Sequence, residues 1–242
     1  MRNTWTIYRR EISAYFNSPI AYIFIILFVL IMAFMFFVVN GFFSQSTPDV
    51  RSYFSIIPWV FPIFIPTVTM RLWSEEMRAG TIELLMTLPL RSWEVVLGKY
   101  LAGFTVIILS LLLTVVVPLS VSIVTELDWG VVVGTYVGAV VMASVYIALG
   151  AWISTFTHNQ IVAVLVAVAC SFLLSLLGVQ PVIVYLDRFI SGLGSFVGWF
   201  GTFFHFQEFS KGLLNPVGFI YAVSVTAFFL TLNNIFVEGR KF

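Results

Sequence analysis

Residues 54–125 read FSIIPWVFPIFIPTVTM, then RLWSEEMRAGTIELLMTLPLRSWEVVLGK, then YLAGFTVIILSLLLTVVVPLSVSIVT: two charge-free apolar runs around one polar island at 71–99. The island carries eight charged residues of a chain that has only 12 Lys or Arg and 11 Asp or Glu. An apolar run of about 20 residues, rising 1.5 Å per residue, is what a helix needs to cross a bilayer. The stretch therefore predicts two spanning helices joined by a charged segment at the membrane surface. Proton- or ion-coupled transport usually leaves ionisable groups inside the spans. Their absence here implies that energy enters from outside the bilayer, with the island as the port.

Working outward, the same criterion yields six spans, at 19–40, 54–70, 100–125, 129–156, 161–180 and 217–237. The 242 residues are 60% hydrophobic and 10% charged, with a mean hydropathy of +1.05, far from the roughly one-quarter charged content of soluble domains. The fold class expected is an all-α membrane protein forming a single domain over 1–242, with an interfacial helix at 1–18 and an outer segment at 181–216. The cations vote on orientation. With the N-terminus inside, Arg2, Arg9, Arg10, Arg71, Arg78, Arg91, Lys99, Arg240 and Lys241 are cytoplasmic, against Arg51, Arg188 and Lys211 outside. This predicts a multi-pass protein of the cell (inner) membrane with both termini cytoplasmic. The first run is too long for a signal-peptide core and is expected to be retained. A net charge of +1 without a basic stripe argues against nucleic acid as a partner. The single Cys170 allows no disulfide within the chain.

Local signals refine this plan. Trp5, Tyr8, Ile12 and Tyr15 or Phe16 recur at helical spacing, predicting an amphipathic helix on the inner leaflet with Arg9, Arg10 and Glu11 on other faces. Ser18 and Pro19 supply an N-cap and a first-turn proline for the first span. Pro58, Pro62 and Pro66 each remove a backbone donor from the second, predicting a bent or locally unwound helix whose freed carbonyls are met by neighbouring protein. A mobile gate and a static kink both fit. Gly130, Gly134 and Gly138 form a doubled GxxxG pattern for close helix packing, within this subunit or with a second one. The apolar 181–216 segment predicts two short helices dipping back into the outer leaflet.

Inside the island, Arg71 and Glu75, and Glu75 and Arg78, are spaced to pair along one helix face. Gly80 can end that helix, Thr81 can cap the next, and Glu83 complements its dipole. The result is a two-turn helix at 82–88, stopped by Pro89, with Leu84, Leu85 and Leu88 as apolar knobs in a charged rim. That is the anatomy of a protein-binding patch, although leucines resting on the membrane surface would look the same.

Enzyme readings find no support. There is no HExxH, GxSxG or metal-spaced Cys and His cluster, and His158 and His205 both fall near membrane edges, as solvated loop residues or aromatic-belt neighbours. Without a GxxxxGK[ST] loop, ATP would have to be hydrolysed by a separate chain. Backbone carbonyls at the proline-rich span keep an ion-coupled carrier as a further alternative.

The run Glu75-Glu76-Met77-Arg78-Ala79-Gly80-Thr81-Ile82-Glu83-Leu84-Leu85-Met86-Thr87-Leu88-Pro89 resembles the EE-x-x-x-GT-x-E-x-L-x-x-x-P segment of ABC-2 type transporter permeases. His205, Phe206, Phe209, Ser210, Lys211 and Gly212, just before the sixth span, resemble the HF-x-x-F-S-R-G stretch of the gliding-motility-associated and nitrous-oxide-reductase-maturation permeases, with Lys211 where that group often has Arg. The opening Tyr8-Arg9-Arg10-Glu11 with Tyr15, Phe16, Ser18 and Pro19 is similar as well. The resemblance implies six spans, a cytoplasmic coupling helix between spans two and three that inserts into an ATPase subunit, and re-entrant helices before span six. It implies ATP and Mg in that partner and none in this chain, a second permease subunit as homodimer or heterodimer, contact with membrane lipids, and an extracytoplasmic auxiliary protein. The coupling residues would be Glu75, Glu76, Arg78, Gly80, Thr81, Ile82, Glu83, Leu84, Leu85 and Leu88. Glu83→Lys or Leu85→Asp would then uncouple transport while leaving the fold intact. The function expected is ATP-driven export or relay of force to the outer partner; the alternative is a non-transporting scaffold that anchors both.

Overall fold

Helices α1 (Arg2–Phe16) and α2 (Pro19–Phe34) open the chain, in a computed structural model that describes residues 2–42, 50–87 and 89–239. Leu88 of the expected apolar ridge and Arg240 and Lys241 of the expected inner tail lie outside those residues. Ser18 caps α2, its hydroxyl accepting from the Ile20 N–H, with Pro19 in the first turn. A π-helical turn, Met35–Val39, extends α2. The second span is built from α3 (Arg51–Phe54), α4 (Ile57–Thr69) and α5 (Arg71–Arg78), followed by the short α6 (Thr81–Thr87). Then come α7 (Ser92–Thr114), α8 (Val116–Ser122), α9 (Trp129–Ile153), α10 (Gln160–Leu176), α11 (Gln180–Asp187), α12 (Leu193–Gly198), α13 (Thr202–Ser210) and α14 (Pro216–Glu238). Among the described residues there is no strand.

Among the described residues, five helical runs are long and apolar enough to cross a membrane, and a sixth arises if α10 and α11 are taken as one broken span bent by 67°. α9 sits at the centre, 67% of its apolar window buried, with α4, α7, α10, α13 and α14 packed around it. The helices alternate in direction. Gly150 near the end of α9 abuts Thr69 at the end of α4, and Trp152 meets Phe236 near the end of α14. The beginning of α1 and the last turns of α14 thus share one end of the bundle with α5 and α6.

The boundaries differ from the sequence expectation in three places, each for a physical reason. α7 begins at Ser92 instead of Tyr100, because the Glu94 carboxylate accepts from the Arg91 N–H at 3.1 Å and from Asn3 Nδ2 at 3.1 Å, capping a start well inside the polar island. The fifth span ends at Leu176 instead of 180, where Gly178 and Gly201 bring two backbones so close that a Cβ on Gly178 would stand 2.5 Å from the Phe204 nitrogen. The 181–216 segment, expected to hold two short helices, holds three, the first starting at Gln180. α11 and α12 form a hairpin closed by the Gly194 N–H donating to Asp187 Oδ1 at 2.7 Å, and α13 turns back against α9.

α4 is helical straight through Pro62 and Pro66, with the chain interrupted before it, at 55–56, and after it, at Met70. All three prolines are buried. Pro62 has no N–H to give the carbonyl four residues back, and that Pro58 oxygen accepts instead from Ser175 Oγ of α10 at 3.4 Å. At the lower interruption the Val68 carbonyl accepts from the Tyr15 hydroxyl at 2.8 Å.

Candidate functional site

α1 is amphipathic: of the expected row, Tyr15 is buried and Tyr8, Ile12 and Phe16 pack partly buried against the core, whereas Trp5 faces out and the deepest stripe is Ile7, Glu11 and Tyr15. Ile7 and Tyr15 are buried while Trp5 is 60% exposed. What the apolar pattern passes over is Glu11, a carboxylate in the middle of that stripe with its side chain 13% exposed. Gly98 permits the approach: a Cβ there would stand 2.7 Å from Ile7 Cγ2. Glu11 is thereby delivered to Lys99, one residue further along α7.

Lys99 is the sequence's last island residue, yet the structure buries it to 1% exposure two turns inside the α7 helix. Its ammonium lies 3.0 Å from Glu11 Oε1 and 3.1 Å from Glu76 Oε1, and over the Trp73 ring at 5.1 Å. Arg10 closes the ring, 2.6 Å from both Glu11 and Glu76. Two cations and two carboxylates thus tie α1, α5 and α7 together. A buried ammonium is costly unless paired and hydrogen-bonded, and this arrangement supplies both carboxylates. Burial works to raise the Glu11 carboxyl, but Lys99 and Arg10 outweigh it and hold the group below the ordinary carboxylate value. Beside the ring, Arg71 pairs with Glu75 at 2.9 Å and lies over the Tyr15 ring at 5.0 Å. Arg78, expected to share Glu75, is exposed and makes no ion pair among the described residues.

The short helix α6 rests on this base. Gly80, at φ +66°, ends the preceding helix as expected of a left-handed C-terminal glycine. Thr81 is the first helical residue, its hydroxyl donating back to the Glu76 carbonyl at 3.4 Å. Thr81, Glu83 and Leu84 are exposed, Leu84 at 68%, and Ile82 is partly buried. Leu85 is 5% exposed and belongs to the core. The expected row of three knobs is corrected accordingly: Leu85 anchors α6 inward and Leu84 faces out, so Leu85→Asp would replace a core anchor and is expected to cost stability as well as coupling. Arg10, Glu11, Arg71, Glu75, Glu76 and Lys99 line a pocket of about 390 Å³ that Leu84 and Leu85 cover.

At the opposite end the glycines of α9 meet the motif of α13. Gly134 approaches Gly212, which has φ +80°, and a Cβ on Gly138 or Gly218 would collide with the Phe209 ring system. Phe209 is 1% exposed. The neighbour of the GxxxG face is this chain's own α13. His205, read from sequence as solvated or a belt neighbour, is buried. Its ring stacks on Tyr221 at 4.1 Å and its Nε2 lies 2.9 Å from the Trp199 carbonyl. Phe206 is buried beside it, Ser210 Oγ donates to the Gln207 carbonyl at 2.8 Å, and Lys211 pairs with Glu208 at 3.1 Å on the surface. These residues staple α13 to α9 and α14.

The ring Arg10, Glu11, Glu76 and Lys99 escaped the sequence reading as a unit. Its one visible signal is an ammonium next to an uninterrupted apolar run, a position that demands counter-ions. Among the described residues no group of His, Cys, Asp and Glu is arranged to hold a metal ion.

A search of the curated proteins found no match. The family description "ABC-2 family transporter protein" matches residues 5–186, which include α1, the proline-rich α4, the ion-pair ring and α6. A helical bundle of five or six crossings, a polar helix break seated on its charged end, and a match over that whole region converge: the chain belongs to the ABC-2 transporter family and is a multi-pass membrane permease component of an ABC transporter.

Proposed function

We propose that a separate cytoplasmic ATPase, holding ATP and Mg, docks on the exposed rim of α6 and that this chain converts the ATPase's motion into export or into force on an extracytoplasmic partner. The observation that carries this reading is the two-faced α6: Leu85 keyed into the bundle, Leu84 and Glu83 displayed outward, and the ion-pair ring directly beneath. A push on α6 passes through Glu76 to Arg10 and Lys99, and so to α1 and α7 together. α5 continues into α4, whose Pro58 carbonyl is held by Ser175, so the same push bears on the packing of α4 against α10. The reading places both termini and the ring on the cytoplasmic side, in keeping with the distribution of Lys and Arg. A second permease subunit, identical or not, would complete the transporter. The His205 to Gly212 segment, outside the matched region, supports assignment to the gliding-motility-like and nitrous-oxide-reductase-maturation group.

The test uses purification from native membranes with neighbouring subunits. Leu84→Asp alters only an exposed side chain and is expected to abolish co-isolation of the nucleotide-binding subunit, or its stimulated ATPase activity, without changing the permease's thermal unfolding. Unaltered co-isolation and stimulation with both Leu84→Asp and Glu83→Lys would remove α6 from the mechanism. A wild-type complex that hydrolyses ATP but moves no substrate and alters no outer partner would favour the scaffold.

A further inference from the structure

Two cavities adjoin at the charged end and share the Tyr15 side chain. One is the polar pocket of about 390 Å³ beneath α6. The other is an apolar groove of about 310 Å³ between α2 and α4. Ile20, Phe24 and Leu27 form one wall and Ile63, Thr67 and Met70 the other. These residues stand on successive turns, so the groove runs along the bundle axis for about 10 Å at 1.5 Å per residue. Ile20, Leu27 and Ile63 are exposed at its mouth, so it opens sideways to the surroundings of the bundle. A long apolar slot parallel to the helices, ending at a charged pocket, has the shape of a lipid laid against the protein.

The charges say which headgroup. The pocket's formal charges balance, with Arg10, Arg71 and Lys99 facing Glu11, Glu75 and Glu76, so neither an anion nor a cation alone is favoured. Four of the six are committed to the ring. Arg71 and Glu75 are paired only with each other, and Glu75 is 50% exposed, so it loses little by releasing the guanidinium. Arg71 Nη1 is buried without a hydrogen-bond partner, and so is Glu76 Oε2. A phosphate offers more acceptor oxygens to the guanidinium than one carboxylate does, and an ammonium carried on the same headgroup can then be taken by the released Glu75 with Glu76 behind it. We propose that this site binds a glycerophospholipid with a phosphoethanolamine headgroup, the phosphate on Arg71, the ammonium at Glu75, and an acyl chain in the groove between α2 and α4. A choline headgroup has the same charges but no N–H to donate, and a glycerol headgroup has no cation. Leu84 and Leu85 of α6 also line the pocket, but the lipid selectivity tested below is read on the permease alone, so it stands or falls separately from ATPase docking.

The test is native mass spectrometry of the full-length chain in detergent, equilibrated with equal amounts of phosphatidylethanolamine, phosphatidylcholine and phosphatidylglycerol of identical acyl chains. The expected result is retention of the ethanolamine lipid over each of the others by roughly tenfold. Glu75→Gln, at an exposed position, is expected to bring ethanolamine and choline lipids to near equality. Ile63→Trp, which fills the groove from its exposed lip, is expected to reduce retention of all three. Equal retention of the three by the wild type would overturn the proposal, as would a preference untouched by both variants. So would an Ile63→Trp chain that keeps its lipid but no longer cross-links to a second copy, which would assign the groove to the subunit interface.

Discussion

Lys99 concentrates the electrostatics of the charged end in one side chain. Replacing it with methionine keeps the volume and removes the charge, leaving Glu11 and Glu76 as neighbouring carboxylates with only the half-exposed Arg10 between them. Breaking a buried pair in this way costs about 3–5 kcal/mol, so Lys99→Met is expected to lower the unfolding midpoint in detergent sharply, while Lys99→Arg retains most of the loss. The same residues give a pH dependence. Glu11 has its carboxyl held below the model-compound value of 4.5. The stability it contributes is therefore fully present above pH 4.5 and is lost as the pH falls through the lower, folded-state value. Thermal midpoints should be flat from neutrality to about pH 5 and drop below 4.5, and the drop should be smaller in Lys99→Met, where Lys99 no longer contributes to the depression and only Arg10 is left to hold the carboxylate. A steeper acid loss in that variant would contradict the ring. Sequence alone did not reveal the ring, because Lys99 read as the last residue of a solvated island and Glu11, 88 positions away, lies off the apolar row of its own helix.

At the level of elements, α4 shows how a proline-rich helix is accommodated in an apolar bundle: the donor that Pro62 lacks is replaced by Ser175 of α10, and Tyr15 of α1 braces the helix end at Val68. Pro62→Ala restores an N–H to the Pro58 carbonyl and makes the Ser175 hydroxyl redundant there. Unfolding of Pro62→Ala, Ser175→Ala and the double variant should therefore be non-additive, with a coupling of about 0.5–1.5 kcal/mol; additive effects would mean that Ser175 does not serve this carbonyl. Apolar runs between charged breaks made the elements readable, so the spans at 19–40, 129–156 and 217–237 correspond closely to α2 with its π-turn, α9 and α14. The misread ends are those where a specific partner overrides composition. Glu94 capping moves the start of α7 into the island, and the Gly178 and Gly201 contact stops α10 early. α6 was legible as an element but not in its facing, since Leu84 and Leu85 are alike in composition and only the tertiary packing tells them apart.

Across the whole molecule, Phe209 is the point where distant sequence motifs meet: Gly138 of α9 and Gly218 of α14 leave room for its ring, and Gly134 for the Gly212 backbone that follows α13. Phe209→Ala removes a fully buried aromatic and is expected to cost about 3–5 kcal/mol, with hydrogen exchange rising first in α11, α12 and α13 because they are the parts that lose their anchor. Exchange rising uniformly through the bundle would contradict this. The two outermost runs, α2 with its π-turn and α14, each bury only 28% of their apolar windows, against 67% for α9, so most of their surface faces lipid or another subunit. The early stop of α10 has a further consequence for those lipids. Its 17 residues reach about 26 Å at 1.5 Å each, short of a hydrocarbon layer of roughly 30 Å. Beside α10 the bilayer must pinch inward or α11 must lie tilted to cover the shortfall. Where the bilayer meets that shortfall, this flank would be a local dimple, more sensitive to acyl-chain length than the longer α7 and α9.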